Sequence, residues 1–335
     1  MAMIPILKMI LVTSCSALLY GQAAGEWKPV LEEGGVRAYA RQLPGTGLLE
    51  FRSTAVIPAP IEVVGTVLRD VEGLKRSSKN CLEARILQYK SSNDYSFYVA
   101  YGMPIPFAHR DVIIHATTRY DLKKGRAICE LQAQPDALPP KAGYVRIRDF
   151  RAQFVIEYLA RDKTGIVYTS RVDPGGNIPD FLINYTSKHA VTSSVVDLRS
   201  ATQNPRHIQA AHASSDHALV EEITHNPATL KAIVKERLGE YIPERDLVQM
   251  LVDDPGVYFG LVSGQGSFGE ILLHGFGSRE SQVRAISDLL RQWLMPRLRD
   301  AARVERLATD RSLVERILRG QGGAAAVRAL AGGKG

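Results

Sequence analysis

Residues 173–199 read DPGGNIPDFLINYTSKHAVTSSVVDLR, and the organisation of the preceding chain follows from them. Asp173, Pro174, Gly175 and Gly176 are turn formers, since glycine tolerates positive φ and proline fixes its own. Asn177 is placed to cap a helix, with Pro179 inside the first turn, where its missing N–H costs nothing. At about 100° per residue, Ile178, Phe181, Leu182, Tyr185, Val195 and Val196 share one broad arc that also holds His189 and Thr192. The spacing predicts a long helix with one apolar face, closing a domain.

Upstream, the pattern is that of strands. Glu26 to Glu33 reads as a short amphipathic lead-in, and Gly34-Gly35 turns into a strand over Val36–Arg41. A second strand covers Leu48–Ile57, and Ile61, Val64, Val67, Leu68 and Val71 then recur at helical spacing. Strands follow over 82–90 and 95–101, joined by the polar turn Ser91-Ser92-Asn93-Asp94, and over 111–120 and 126–132. Tyr144 to Leu159 reads as one long strand, leading to another over 166–172. Two strands, a helix, a meander and a long closing helix make an α+β arrangement, with helices against one face of an antiparallel sheet.

That succession, with Pro104-Ile105-Pro106-Phe107-Ala108-His109-Arg110-Asp111-Val112, Val145-Arg146 and Asp173 to Pro179, resembles the START family of lipid-transfer domains, bacterial secreted type. The resemblance covers about residues 25–201 and implies a helix-grip fold, a curved antiparallel sheet around the long C-terminal helix. It implies an internal cavity for a sterol, phospholipid or similar lipid, transient membrane contact, no cofactor and no catalytic residue. By position, Gly102–His109 is the loop over the cavity mouth, with apolar Met103, Ile105 and Phe107. This loop and the 173–199 helix are the expected gate. Cavity and gate residues are then Met103, Ile105, Phe107, Arg110, Arg146, Ile178, Phe181, Leu182, Tyr185, His189, Thr192 and Val196. Arg110 and Asp111 are expected to fix the loop, Arg146 is offered as a reach to a lipid head group, and Tyr185 and His189 as polar ligand contacts. Phe97 and Ala116 fall where some sterol-binding members carry an acidic and a basic residue; both are apolar here, which weakens any case for cholesterol.

Composition excludes little but is not silent. The 335 residues carry a net charge of +7, with Lys and Arg interleaved with Asp and Glu, so no basic block marks a nucleic-acid site. Lys8, the apolar run 9–20 and the small residues Gly21 to Ala24 have the layout of a signal peptide over 1–24, so the chain is expected to be exported, periplasmic or extracellular. Val12-Thr13-Ser14-Cys15 also resembles a lipobox, a less favoured tether. Beyond Cys15, Cys81 and Cys129 form neither a disulfide scaffold nor a zinc spacing.

Residues 202–216 are polar and read as a linker, 217–320 as a small helical domain, and 321–335 as a flexible tail. Leu219-Val220-Glu221-Glu222-Ile223-Thr224-His225-Asn226-Pro227 aligns with Leu247 to Pro255, and a fainter copy surrounds Asp310-Arg311. Each copy is helix, Asn/Asp break, helix, with apolar stripes that must stack on something. Gly264 to Gly277 interrupts the array. His207, His212 and His217 recur every five residues, which turns a helix too far for them to converge on a metal. No GxSxG, HExxH or Walker A motif is present. A lipid carrier is therefore expected. An enzyme of cyclase or hydrolase type acting in the same cavity, or a module docking a protein partner through the C-terminal helices, are the alternatives.

Overall fold

The computed structural model describes residues 25–78, 80–263 and 279–332. The signal-peptide segment, Cys15 and the glycine-rich stretch from Gly264 to Gly277 lie outside the described residues. The chain runs β1 (Lys28–Glu33), β2 (Val36–Gln42), β3 (Leu49–Ile57), α1 (Ile61–Arg69), α2 (Leu74–Ser77), β4 (Cys81–Ser91), β5 (Asp94–Tyr101), β6 (His109–Asp121), β7 (Arg126–Ala133), β8 (Tyr144–Arg146), β9 (Asp149–Ala160), β10 (Lys163–Asp173) and α3 (Asp180–Ala201). One ten-stranded sheet has the order β1-β2-β3-β10-β9-β7-β6-β5-β4, antiparallel throughout, with β8 added parallel to β6.

Alternation explains why the sheet has two covered faces. Inward positions of β3, β9 and β10 carry Ala55, Ile57, Phe154, Ile156 and Ile166, which pack on Val64 of α1 and on Val195 and Leu198 of α3. The alternate residues Val56, Ile128, Val155 and Val167 cluster on the opposite face. Such two-sided burial is unusual for an antiparallel sheet, and it needs a second layer.

The C-terminal helices supply that layer. They are α4 (Pro205–His212), α5 (Ser215–Thr224), α6 (Pro227–Leu238), α7 (Arg245–Asp253), α8 (Pro255–Ser263), α9 (Arg279–Leu298), α10 (Ala301–Ala308), α11 (Arg311–Leu318) and α12 (Gly323–Gly332). Their core of Leu247, Leu251, Leu261, Ile286, Leu289, Trp293 and Ile317 includes Leu159 of β9 and touches Val56. The repeated Asn/Asp positions are helix caps. Asn226 accepts from the Ala228 and Thr229 N–H groups, Asp310 from Ser312 and Leu313, and Asp254 from Val257. A cap between two short helices is what the degenerate repeat repeats.

Four segments differ from expectation. The lead-in is strand β1, because its backbone pairs with β2 from Lys28↔Ala40 to Glu33↔Val36. The strand expected over 144–159 breaks at Ile147-Arg148, where β8 leaves β6 and β9 joins β7 and β10. Within the expected linker over 202–216, residues 205–212 are helix α4, capped by Asn204, and Ser214 caps the start of α5. In the tail region, α12 buries Ala324 and Val327, and Glu244 accepts from the Gly323 and Ala324 N–H groups at its start.

The two layers meet at a buried charge. Glu157 of β9 lies fully inside, and Arg237 of α6, 2 % exposed, donates to it at 2.5 Å and to the Tyr158 carbonyl at 2.6 Å. Arg126 bridges Glu157 to Glu240. Desolvation pushes the Glu157 carboxyl above the ordinary range, against the pull of Arg237 and Arg126. Breaking such a pair strands a charge, whereas replacing both partners by apolar groups does not. Arg237→Met is expected to cost about 3–5 kcal/mol in urea denaturation, and Glu157→Leu with Arg237→Met to recover most of that loss.

Candidate functional site

α3 lies across the inner face of the sheet, and polar anchors fix its rotation. The Asn184 side chain accepts from the Leu49 N–H at 3.0 Å and donates to the Gly47 carbonyl at 2.9 Å. Ser53 donates to the Val191 carbonyl at 2.9 Å, and Arg199 donates to Gly34 O at 2.6 Å. The buried residues are accordingly Ile183, Val191, Thr192, Val195 and Leu198. This arc is turned by about a third of a revolution from the one expected. Of the predicted residues, Thr192 is buried, while Ile178, Leu182, His189 and Val196 are half-buried. Phe181 is 74 % and Tyr185 59 % exposed. Tyr185 and His189 meet at 4.8 Å between ring centroids with their planes tilted by 60°, Tyr185 turned to solvent and His189 half-buried, outside the arc that packs on the sheet. The small polar residues Ser187 and Ser194 lie on the inward side, which is why hydropathy alone misplaces the face.

The interior itself is lined by inward residues of β5, β6, β7 and β9. Phe97 and Ala116 belong to one apolar cluster with Tyr95, Val99, Val112 and Ile114, so both do face inward. Around them Leu131, Ala133, Phe150 and Val172 pack against the cluster yet remain only partly buried. Tyr101 and Tyr168 behave alike. Burial raises both phenols well above their ordinary range, and Tyr168 adds to the shift of Tyr101. Both nonetheless keep accessible surface. Both are thus inward-facing groups that the packing leaves partly open. Tyr101 and Tyr168 share inward parity with Phe97 and Ile166 along their strands, and that alternation was the available signal for them.

One guanidinium ties the mouth together. Arg110, 4 % exposed, donates to the Pro174 carbonyl at 3.2 Å, to Gly175 O at 2.8 Å, and to the Ala108 carbonyl of the 102–109 loop. Desolvation lowers its pKa. Gly175 and Gly176 have φ of 66° and 73°, and a Cβ at Gly176 would sit 3.0 Å from the Arg110 Nη2 atom. Glycine therefore serves twice, for the left-handed turn and for the approach of the guanidinium. Within the loop, the Met103 N–H donates to His109 Nδ1 at 3.1 Å. Met103 and Phe107 are half-buried, and Ile105 stands 96 % exposed at the tip.

Arg146 does not reach the interior. It makes two bonds to Asp111, at 2.8 and 2.9 Å, and caps the carbonyls of Pro135, Leu138 and Pro139. The hydrogen bonds to Asp111 raise its pKa. Asp111 and Arg146 lie on the face opposite the cavity, so Arg110 and Asp111 each lock a different segment rather than each other. Cys81 and Cys129 are free thiols, both raised by burial. Among the described residues no His, Cys, Asp and Glu group could hold a metal. His207 pairs with Asp70 and His217 with Glu62, which places them at the α1–α4–α5 junction.

The START domain family model matches residues 17–208. The chain belongs to the START domain family. An uncharacterized protein of Pseudomonas aeruginosa is 28% identical over 195 residues, covering 57% of this chain and 96% of its own. The phosphatidylcholine transfer protein of Rattus norvegicus is 28% identical over 187 residues, or 53% of this chain and 85% of its own. A solved STAR-related lipid transfer protein fragment from Xanthomonas axonopodis superposes with a TM-score of 0.50 at 26% identity, covering 53% of this chain and 99% of the fragment. Human STARD10, at 20% identity and a TM-score of 0.50 over 56% of this chain and 77% of its own, shares the fold. The START domain thus holds the sheet, α1 to α3 and the mouth, and the match ends inside α4.

Replacing Arg110 by Met removes three bonds from a charged donor, and is expected to cost about 2–4 kcal/mol in denaturant melts. Amide exchange should accelerate together in 102–109 and 174–178 while β9 and β10 stay protected.

Proposed function

We propose that this chain is an exported, non-enzymatic lipid carrier that binds one lipid between the sheet and α3 and exchanges it at a membrane through the mouth formed by Gly102–His109 and the start of α3. The observation that carries this is the lining of the interior, apolar apart from a few inward hydroxyls and thiols, in which Tyr101 and Tyr168 keep surface despite their depth. A diacyl phospholipid suits it better than a sterol, since Phe97 and Ala116 offer no charge pair and a relative transfers phosphatidylcholine. The Tyr101 and Tyr168 hydroxyls are assigned to the polar part of the lipid. A sealed apolar container meets a physical need, because each methylene exposed in water costs roughly 0.8 kcal/mol.

At the mouth, exposed Ile105 and Phe181 flank the segments that Arg110 joins. They are assigned to membrane contact, where their apolar surface leaves water. Opening then requires the Arg110 bonds to yield, so contact and opening are coupled at one residue. Export rests on the sequence of residues 8–24.

Mass spectrometry of organic extracts from gently purified protein should recover about one lipid per chain; an empty, stable protein that takes nothing from phosphatidylcholine vesicles would overturn the carrier function. Ile105→Asp with Phe181→Asp should lower vesicle binding by about tenfold or more, given about 1.5–3 kcal/mol per buried large apolar side chain. Tyr101→Phe and Tyr168→Phe should each weaken lipid retention by up to about tenfold, the worth of one hydrogen bond. Tyr185→Phe with His189→Leu should leave it unchanged.

A further inference from the structure

The helical layer does more than cover the sheet. Between α1, α5 and the ends of β7 and β9 lies a cleft of about 60 Å³. Ile61 and Gly65 of α1, with Ala127 and Ile156 of the sheet, form one side, and Leu219, Val220 and Ile223 of α5 form the other. None of the α5 residues is fully buried, so α5 spans the cleft without collapsing into it. Polar bonds hold it in that position. Asp216 binds Arg69 at 2.7 Å and Tyr120 at 2.9 Å, His217 binds Glu62 at 3.0 Å, and Arg161 pairs with Glu221.

The cleft lies against the same face of the sheet as the interior. Tyr120, Ala127 and Ile156 are inward residues of three strands. The next inward residues along those strands are Thr118, Cys129 and Phe154, and Phe154 stacks on Tyr168 at 4.2 Å. One inward step is about 6.6–6.8 Å of strand, so cleft and interior share one surface. We infer that this cleft receives the end of an acyl chain of the bound lipid, and that α5 and Gly65 set how long that chain can be. The inference rests on the carrier function proposed above. An unbranched hydrocarbon end is the occupant whose chemistry fits a surface that is almost wholly apolar, beside which the Oε1 atom of buried Glu62 is held by His217 and Arg161 while its Oε2 atom has no hydrogen-bond partner among the described residues. The space takes about two methylene-sized groups, each near the ~30 Å³ share of a water molecule. Gly65 lines it without a side chain. A Cβ there would meet Ile156 at 3.8 Å and Arg69 at 3.7 Å, ordinary contact distances that require no rearrangement.

The test uses the full chain equilibrated with vesicles of phosphatidylcholines of graded acyl-chain length, with the bound lipids read by mass spectrometry. Gly65→Ala favours the helix and should lower the enrichment of the longest retained chain about fourfold, the transfer value of one methylene. Gly65→Val should move the optimum by about two carbons toward shorter chains, an effect of about fifteenfold on the longest. Val220→Ala, which widens the cleft from the α5 side, should shift the profile the other way. Bound lipid with an unchanged chain-length profile in all three variants would overturn the role of the cleft and leave the carrier function standing. A wild-type chain that takes up no lipid would remove the carrier function, and this inference with it.

Discussion

Arg110 is the residue on which the mouth of this domain depends. Its guanidinium is buried without a carboxylate partner among the described residues, so carbonyl groups must replace the water it gives up. Those carbonyls come from two segments far apart in sequence, Ala108 on one side and Pro174 and Gly175 on the other. The glycines at 175 and 176 follow from the same requirement, because the turn must bring its carbonyls to the charge and leave room for it. The start of α3, the aim of Phe181 and the footing of Ile105 are downstream of that one arrangement.

The far end is held differently. There the sheet has its second layer, and the joint is made of ionic contacts that cross it: Glu157 with Arg237 and Arg126, and Glu62 with His217 and Arg161. Glu157, Arg237 and Glu62 are buried at the centre of these sets, so removing the partners of any one of them leaves a buried polar group unpaired. The mouth is thus closed by one residue and the far end by several, which makes the mouth the part of the fold with the lower cost of opening.

Much of the architecture was legible in the sequence because it is written in local chemistry. Gly175-Gly176 and Pro179 marked the start of α3, although Pro179 rather than Asn177 holds its cap position and no side chain caps it, period-two alternation marked β2, β3, β5 and β6, and the Asn/Asp positions of the repeat marked helix starts, though as caps rather than breaks. What depends on tertiary pairing was not. β1 carries too few apolar residues to declare itself, and it is a strand only because β2 offers an edge. The break in the expected strand over 144–159 is made by Asp111, 35 positions upstream, capturing Arg146. The same holds for the site. Phe97, Ala116, Arg110 and the loop fall where the resemblance put them, whereas Tyr185, His189 and Arg146 do not. A helix rotation set by Asn184, Ser53 and Arg199 has no signature in hydropathy, and Tyr101 and Tyr168 stand out only once the inward parity of their strands is known.

A ten-stranded sheet braced on its outer side cannot flatten to admit a larger guest. An unbraced grip can trade curvature for volume, adjusting its bore to whatever it holds. Here Leu159 and Val56 are rooted in the helical layer behind them, and that layer acts as a strut. Along β3 and β9 the bore is then held to a fixed gauge, and compliance is left to the entrance.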